Sequence, residues 1–285
     1  MKKYNNFDLT EYNSYKVKAF CRTAYFPETD DDIVELFSQG GEEKVVLGGG
    51  FNVLLTKDFY DKPFVIFSST YNEISLVGEN MILCEAGCDM KDVSVFAMEN
   101  DLSGLEIFYD IPSSLGGAVV MNAGAGGEDI KGVLEKVWYF DPGTREICEI
   151  SNDEIAFEYR NSFFQKNPQM VICKALLRLV KKNSAVIRSR MEQIKEQRWA
   201  KQPRQYPNAG SVFKRPVGRF VGPMIEELGL KGFTVGGAQV SEKHGGFIIN
   251  FNNATGADIL TLINYVRDRV SEKFGVSLEI EQRIL

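Results

Sequence analysis

Three glycine-rich segments limit most strongly what this chain can fold into. They span residues 45–55, 111–127 and 229–250, and the first two border apolar runs. Glycine weakens regular helices and strands, so a cluster of glycines indicates that the backbone turns sharply or that a ligand lies against it. From the residues alone, plain turns and a dinucleotide-binding site both remain open.

The spacing of the first segment excludes two common phosphate-binding motifs. A Rossmann fingerprint needs a glycine three residues after Gly50, where the chain has Val53, and no Gly-Lys-Ser/Thr follows as in a P-loop. What remains is a tight loop whose backbone N–H groups can cradle a pyrophosphate without a helix.

Apolar runs and short amphipathic stretches alternate along the chain, which predicts an α+β fold. Helices are predicted at 30–39 and 89–100, each opened by an acidic residue that suits a helix N-terminus. Strands are predicted at 45–47, 64–67, 81–84, 118–121, 137–140 and 170–179.

The last hundred residues contain two further helical patterns and an alternating tail. Residues 185–199 predict a polar connector helix with Ile187, Met191 and Ile194 on one side. Residues 258–274 predict a helix that Thr255 or a neighbour caps and Gly275 ends. Residues 276–285 alternate between apolar and polar side chains, which predicts a half-buried strand.

Charge and composition exclude several classes of protein. The 285 residues are 44% hydrophobic, with a formal charge of −6 and a pI near 5.1, which argues against non-specific nucleic-acid binding. The segment from Lys181 to Arg219 contains eleven basic residues and only two acidic ones, Glu192 and Glu196. This segment either is a solvated helix face or attracts an anionic ligand.

No targeting, membrane or metal-binding segment is predicted. No run approaches the roughly 18 apolar residues that a membrane span requires. The five cysteines are scattered, and the single histidine, His244, lies far from the Cys84 and Cys88 pair. We therefore expect a soluble cytoplasmic protein with reduced thiols, no bound metal and no membrane partner.

Seven segments in order resemble the UDP-N-acetylenolpyruvoylglucosamine reductase family, flavoenzymes of peptidoglycan precursor synthesis. The resemblance spans nearly the whole chain and is closest to the compact subtype, which lacks an extra substrate-clamping loop. The segments are NSYKV (13–17), LGGGFNVLL (47–55), GLEIFYDIPSSLGGAVVMNAGAGG (104–127), EYRNSFF (158–164), KQPRQYPNAGSVFKRP (201–216), IEELGLKGFTVGGAQVSEKHGGFIIN (225–250) and LEIEQR (278–283).

The resemblance implies an α+β architecture with an FAD-binding domain of the vanillyl-alcohol-oxidase type in two lobes. The implied parts are lobe 1 at 1–70, lobe 2 with the connector helix at 71–199, a substrate-binding domain at 200–275, and a strand at 276–285 that returns to the active site. FAD is implied to be held without a covalent bond. The implied FAD contacts are Tyr15, Gly48, Gly49, Gly50, Phe51, Asn52, Pro112, Ser114, Gly116, Gly117, Asn122 and Gly124.

The implied chemistry has two half-reactions: NADPH reduces FAD, and the flavin then reduces an enolpyruvyl ether. Arg160 matches the family's arginine and can hold a carboxylate through two parallel hydrogen bonds. Ser211 matches the serine that delivers a proton, and Glu281 matches a glutamate that must be protonated or coupled to a cation. His244 is expected to be structural.

Four residues depart from the family pattern: Phe51, Asp110, Ser113 and Gly126. Because these positions would meet FAD mainly through backbone, we expect altered packing or affinity and retained binding. The implied partners are a UDP-sugar and NADPH, and we expect a monomer.

Two other functions remain as alternatives. One is an alcohol or lactone oxidase of the same flavin superfamily, which would consume oxygen without NADPH. The other is a non-catalytic nucleotide-binding module, which would show no turnover.

Overall fold

The computed structural model describes residues 1–39, 41–68 and 70–285, which divide into two compact units. The first unit consists of residues 1–5, 23–49 and 62–196, and the second of residues 6–22, 50–61 and 197–285. Within these described ranges, no helix is both long enough and apolar enough to cross a membrane.

Helices and strands are mixed along the chain, so the predicted α+β class is confirmed. The α-helices of the described residues are α1 (Asp30–Ser38), α2 (Met90–Glu99), α3 (Leu115–Met121), α4 (Phe163–Lys166), α5 (Ser184–Lys201), α6 (Val221–Glu227) and α7 (Gly256–Phe274). The strands are β1 (Lys2–Asp8), β2 (Phe20–Phe26), β3 (Val45–Leu47), β4 (Val53–Leu54), β5 (Phe59–Tyr60), β6 (Phe64–Ile66), β7 (Ile74–Val77), β8 (Met81–Glu85), β9 (Leu102–Ser103), β10 (Gly124–Ala125), β11 (Glu128–Asp129), β12 (Leu134–Asp141), β13 (Glu146–Ser151), β14 (Val171–Arg178), β15 (Val180–Lys181), β16 (Thr234–Val235), β17 (Ala238–Val240), β18 (Ile248–Asn250) and β19 (Arg283–Ile284).

The glycine turn at 48–49 directly follows β3, which belongs to a sheet with parallel pairing. Strand β6 pairs with β3 on one side and with Ala24 and Tyr25 of β2 on the other. The predicted strands at 45–47 and 64–67 are therefore confirmed. Helix α1 begins at a capping box of Thr29 and Asp32 and buries Ile33 and Leu36, as its acidic start predicts.

An antiparallel sheet in the order β13-β12-β14-β8-β7 forms most of the first unit. Strand β14 is buried along nearly its whole length. Its consecutive residues Val171, Ile172 and Cys173, whose side chains alternate between the two faces of the sheet, all lie in the apolar core. Helix α2, capped by the Asp89 carboxylate, adds Met90, Val93 and Ala97 to the same apolar core.

The prediction of a strand at 118–121 is wrong, because these residues belong to α3. Branched side chains favour strands, but the Ser114 hydroxyl caps this helix, and Leu115, Ala118 and Val119 bury its apolar face. Burial and the cap therefore outweigh local propensity here.

The polar helix predicted at 185–199 is confirmed as α5. Ile187 and Met191 are buried and Ile194 packs against the core of the first unit, so the predicted apolar side faces inward. The chain passes from the first unit to the second between Glu196 and Gln197 of this helix.

The second unit packs α7 with a three-stranded antiparallel sheet, β16-β17-β18. Thr255 and Asp258 form the capping box of α7, and Gly275 ends it in the left-handed conformation, as predicted. Ile259, Leu262, Ile263, Val266 and Val270 of α7 lie in the core, at the spacing that the sequence shows.

The continuous strand predicted at 276–285 is wrong in extent, since only Arg283–Ile284 forms a paired strand. The predicted alternation holds, with Leu278 buried between the exposed Ser277 and Glu279. The Glu281 N–H donates to Val212 O (2.8 Å), whereas Arg283 and Leu285 pair with Asn52 and Leu54. The segment changes its pairing partner near residue 282, which interrupts the ladder.

Candidate active site

Two of the glycine-rich segments meet in the first unit at Ser114. The Ser114 hydroxyl accepts hydrogen bonds from the N–H groups of Gly49 and Gly117, both at 3.3 Å. A Cβ added to Gly48 would lie 2.2 Å from the Ser114 hydroxyl oxygen, so this position has no room for a side chain. The sequence predicts a ligand loop here, and the turn at 48–49 lies directly against the start of α3.

A seam of backbone hydrogen bonds fixes the start of α3. The N–H groups of Leu115 and Gly116 donate to Cys88 O and Ala86 O, both at 2.9 Å. A Cβ on Gly116 would lie 3.2 Å from that of Ala86, which explains the small residue. Pro112, which precedes the seam, is exposed.

Asn122 organises the end of the same segment. It adopts the left-handed conformation that ends α3, and it is 4% exposed. Its amide donates to Asp129 Oδ2 and to Glu158 O, both at 3.1 Å, and accepts from the Lys131 N–H. The Asn122 side chain therefore holds protein groups together.

Arg160 lies in the first unit beside Asn122. Its guanidinium donates to Asn122 O (3.0 Å) and to Gly124 O (2.5 Å), and it lies 5.3 Å from the centroid of the Tyr159 ring. These two carbonyl groups fix the plane of the guanidinium. Between Arg160 and β14 the chain forms only the short helix α4, as the compact subtype implies.

The second unit places Ser211 and Glu281 on neighbouring segments. Ser211 is exposed and pairs with Phe247, while the next residue, Val212, accepts the Glu281 N–H at 2.8 Å. Asn208 shapes the loop before Ser211, because its amide donates to Tyr206 O and accepts from the Gly210 N–H. Glu281 is half-buried.

The remaining part of the first glycine segment also lies in the second unit. Gly50 has φ +67°, and its carbonyl accepts the Ser14 N–H at 3.1 Å. The Asn52 amide donates to Glu281 O at 3.2 Å, and the Phe51 side chain is half-buried. The segment that carries Glu281 is thus bonded to the glycine turn as well as to Val212.

Tyr15 and Gln282 lie in the core of the second unit. The Tyr15 hydroxyl donates to Gln282 Oε1 (3.0 Å), and Gln282 Nε2 donates to Ala209 O (3.1 Å). Sequence reasoning missed Gln282. The available signal was a polar residue on the apolar side of an alternating segment.

His244 has the environment of a structural residue. Its Nδ1 accepts the Gly246 N–H at 3.1 Å, and its ring packs edge-on against Phe247. Burial lowers the pKa of the imidazole, and the nearby Lys231 ammonium also lowers it. The neutral ring is therefore the form that the fold favours.

Several members of the basic segment form ion pairs within their own unit. Arg190 pairs with Glu128, Lys195 with Glu192 (3.4 Å), and Lys214 with Glu279 (2.6 Å). Attraction of an anionic ligand by this segment stays a prediction.

Two of the four departures from the family pattern, Ser113 and Gly126, have different surroundings. Ser113 is buried and its carbonyl accepts the Met90 N–H, whereas a Cβ on Gly126 would meet nothing within 4 Å.

The glycine turn and the seam at Ser114 are where the family resemblance implies that a dinucleotide cofactor binds in the first unit. Gly48 has no room for a side chain because Ser114 lies against it. The N–H groups of Gly49, Leu115, Gly116 and Gly117 already donate to protein oxygens, so a pyrophosphate that binds to backbone N–H groups here would have to replace some of these bonds. The assignment of residues 48–49 and 114–117 as FAD contacts stays a prediction.

Comparison with known proteins gives two family matches. Residues 202–285 match the C-terminal domain of UDP-N-acetylenolpyruvoylglucosamine reductase, and residues 24–138 match an FAD binding domain.

Curated relatives match over nearly their full length. The UDP-N-acetylenolpyruvoylglucosamine reductase of Caldanaerobacter subterraneus subsp. tengcongensis is 40% identical over 100% of this chain and 94% of its own length. That of Francisella tularensis subsp. tularensis is 37% identical over 97% of this chain and 98% of its own.

A solved structure agrees with these relatives. The crystal structure of UDP-N-acetylenolpyruvylglucosamine reductase from Thermus caldophilus matches 99% of this chain and 98% of its own with a TM-score of 0.84 at 28% identity. The chain therefore belongs to the family of UDP-N-acetylenolpyruvoylglucosamine reductases.

Proposed function

We propose that this chain is an FAD-containing, NADPH-dependent reductase that converts UDP-N-acetylglucosamine enolpyruvate to UDP-N-acetylmuramate in peptidoglycan precursor synthesis. The observation that carries the chemical assignment is the pairing of two segments in the second unit. Ser211 is exposed on one, Glu281 lies on the other, and the Glu281 N–H bonds to Val212 O. Full-length family membership supports the substrate class.

The chemistry that FAD supplies when bound is two-electron hydride transfer. The proposed FAD contacts are among residues 48–49 and 112–124 of the first unit, and Tyr15 and residues 50–52 of the second. The Asn122 side chain contributes by holding its loop in place, since it is bonded to protein groups.

Three side chains act on the substrate in this proposal. Hydride addition to the β-carbon of the enolpyruvyl group moves negative charge into the carboxylate, which requires fixed donors. Arg160, whose guanidinium is already oriented by two carbonyls, binds that carboxylate. Glu281 assists when it is protonated or coupled to a cation, and the Ser211 hydroxyl gives a proton to the α-carbon.

We further propose a cytoplasmic, monomeric enzyme. The five cysteines are all free thiols, which suits a reducing compartment. Basic residues of the segment 181–219 would attract the UDP diphosphate and NADPH.

The test is the variant Ser211→Ala with the two half-reactions measured separately by stopped-flow absorbance. The variant should bind FAD and accept electrons from NADPH at the wild-type rate. Its oxidation by the enolpyruvyl substrate should slow on the order of 10²-fold or more, because the proton donor is missing.

Ser277→Ala is the matched control, since Ser277 is an exposed serine of the same unit. It should leave both rates unchanged. A wild-type rate of substrate reduction in Ser211→Ala would exclude Ser211 as the proton donor.

A further inference from the structure

Gln282 is a polar residue at an inward position of the C-terminal segment. Leu278 is 3% exposed and Gln282 is 5% exposed, and with Ile280 between them they continue one side of the alternating pattern. An apolar side chain is expected at such a position. A buried amide is stable there only when its donors and acceptors are satisfied.

Both ends of the Gln282 amide are used. The oxygen accepts the Tyr15 hydroxyl at 3.0 Å, and the nitrogen donates to Ala209 O at 3.1 Å. Tyr15 is fully buried, and burial raises the pKa of its phenol, so the hydroxyl remains a neutral donor. We call this chain of bonds, Tyr15–Gln282–Ala209, the amide relay.

The amide relay connects the two segments that carry the proposed chemistry of the second unit. Gln282 directly follows Glu281, and Ala209 precedes Ser211 by two residues. The relay therefore adds a side-chain bond to the backbone bond between Glu281 and Val212. Together these bonds fix where the Ser211 loop lies relative to Glu281.

We propose that Gln282 is a positioning residue that holds the Ser211 hydroxyl in place for proton delivery, an inference that rests on the proposed function. Proton transfer requires hydrogen-bond geometry. A displacement of about 1 Å can cost 10²-fold in rate. The relay acts through Ser211 and makes no contact with the substrate in this role.

The first experiment uses Gln282→Leu, which keeps the approximate size of the side chain and removes the amide. FAD content and the rate of flavin reduction by NADPH should match the wild type. Oxidation by the enolpyruvyl substrate should slow about tenfold or more, with the loss in the rate constant and little change in substrate affinity.

The second experiment uses Gln282→Glu and measures the pH dependence of substrate reduction, which a purely structural role of Gln282 would not change. In this variant the protonated carboxyl group can accept from Tyr15 and donate to Ala209 O, whereas the ionised carboxylate cannot donate. Burial raises the pKa of a carboxyl group, so we expect near-wild-type substrate reduction at about pH 5 and a progressive loss toward about pH 8, relative to wild type.

Two further variants separate positioning from stability. Thr255→Ala removes the cap of α7 without touching the relay and should leave both half-reactions unchanged below its unfolding temperature. The double variant Tyr15→Phe with Gln282→Leu removes the Tyr15 hydroxyl together with its acceptor. It should be more stable than Gln282→Leu alone, because no buried hydroxyl is left without a partner, but its rate of substrate reduction should stay low.

The outcomes distinguish the inference from the function on which it rests. A wild-type protein that is reduced by NADPH but not oxidised by the enolpyruvyl substrate overturns the proposed function and the positioning role together. An active wild type with unchanged substrate reduction in Gln282→Leu, or no pH-dependent loss in Gln282→Glu, overturns the positioning role alone.

Discussion

At the scale of single residues, Gly50 shows how neighbouring backbone dictates an amino acid. Its φ is +67°, and a Cβ there would lie 2.0 Å from the Tyr12 carbonyl oxygen. Gly275 has nearly the same φ, +65°, but a Cβ there would meet nothing within 4 Å. Both positions therefore favour glycine because φ is positive, and Gly50 also has no space for a side chain.

This difference gives a prediction for matched substitutions. Gly275→Ala should lower the free energy of unfolding by about 1–2 kcal/mol, the usual cost of a left-handed non-glycine residue. Gly50→Ala should cost more, because a backbone oxygen cannot rotate away, and it should also weaken FAD binding. Urea unfolding and flavin titration measure both effects. Equal losses in the two variants would contradict the close approach at Gly50.

His244 gives a prediction for pH dependence. Burial lowers the pKa of the folded imidazole below the unfolded value of about 6.5, so the unfolded chain binds the proton more readily. This contribution to stability is complete above about pH 6.5 and is lost as the pH falls toward the folded pKa.

The test compares the wild type with His244→Asn, whose amide oxygen can replace the Nδ1 acceptor. The difference in free energy of unfolding between the two proteins should change between about pH 7 and pH 5 and favour the variant at the acid end. A difference that is constant across this range would show that the ring titrates normally.

At the scale of elements, the sequence predicts the helices more accurately than the segments around the site. Helices α1, α2, α5 and α7 each carry an apolar stripe or a capping residue, so local signals agree with burial. Residues 118–121 carry branched side chains, which predict a strand. They form a helix because the Ser114 cap and the burial of Ala118 and Val119 in the core decide their conformation.

The candidate site can be predicted only as far as the family resemblance extends. Ser211, Arg160 and Glu281 come from motif matches, since each would otherwise be an ordinary turn, surface or ladder residue. The role of Gln282 depends on Tyr15 and Ala209, which are distant in sequence. No local pattern contains such a contact, so only the folded structure could indicate it.

At the scale of the whole molecule, each unit is assembled from segments that are far apart in the chain. The core of the second unit joins Tyr15 and Leu54 to residues of α7 and to Leu278. Composition and charge bound the class of protein, but they contain no information on such long-range contacts. Residues 48–49 belong to the first unit and residues 50–52 to the second, and a cofactor that binds only to the folded protein stabilises it.

This argument leads to a prediction for cofactor removal. Protein stripped of FAD should unfold at a lower temperature, and added FAD should restore about 2.7 kcal/mol of stability when its free concentration is 100 times the dissociation constant. FMN, which lacks the pyrophosphate and adenosine, is the matched control. It should stabilise less if the turn at 48–49 and the seam at Ser114 hold a pyrophosphate. Differential scanning fluorimetry with each flavin measures the shift, and a protein that neither flavin stabilises would exclude the glycine turn as a cofactor site.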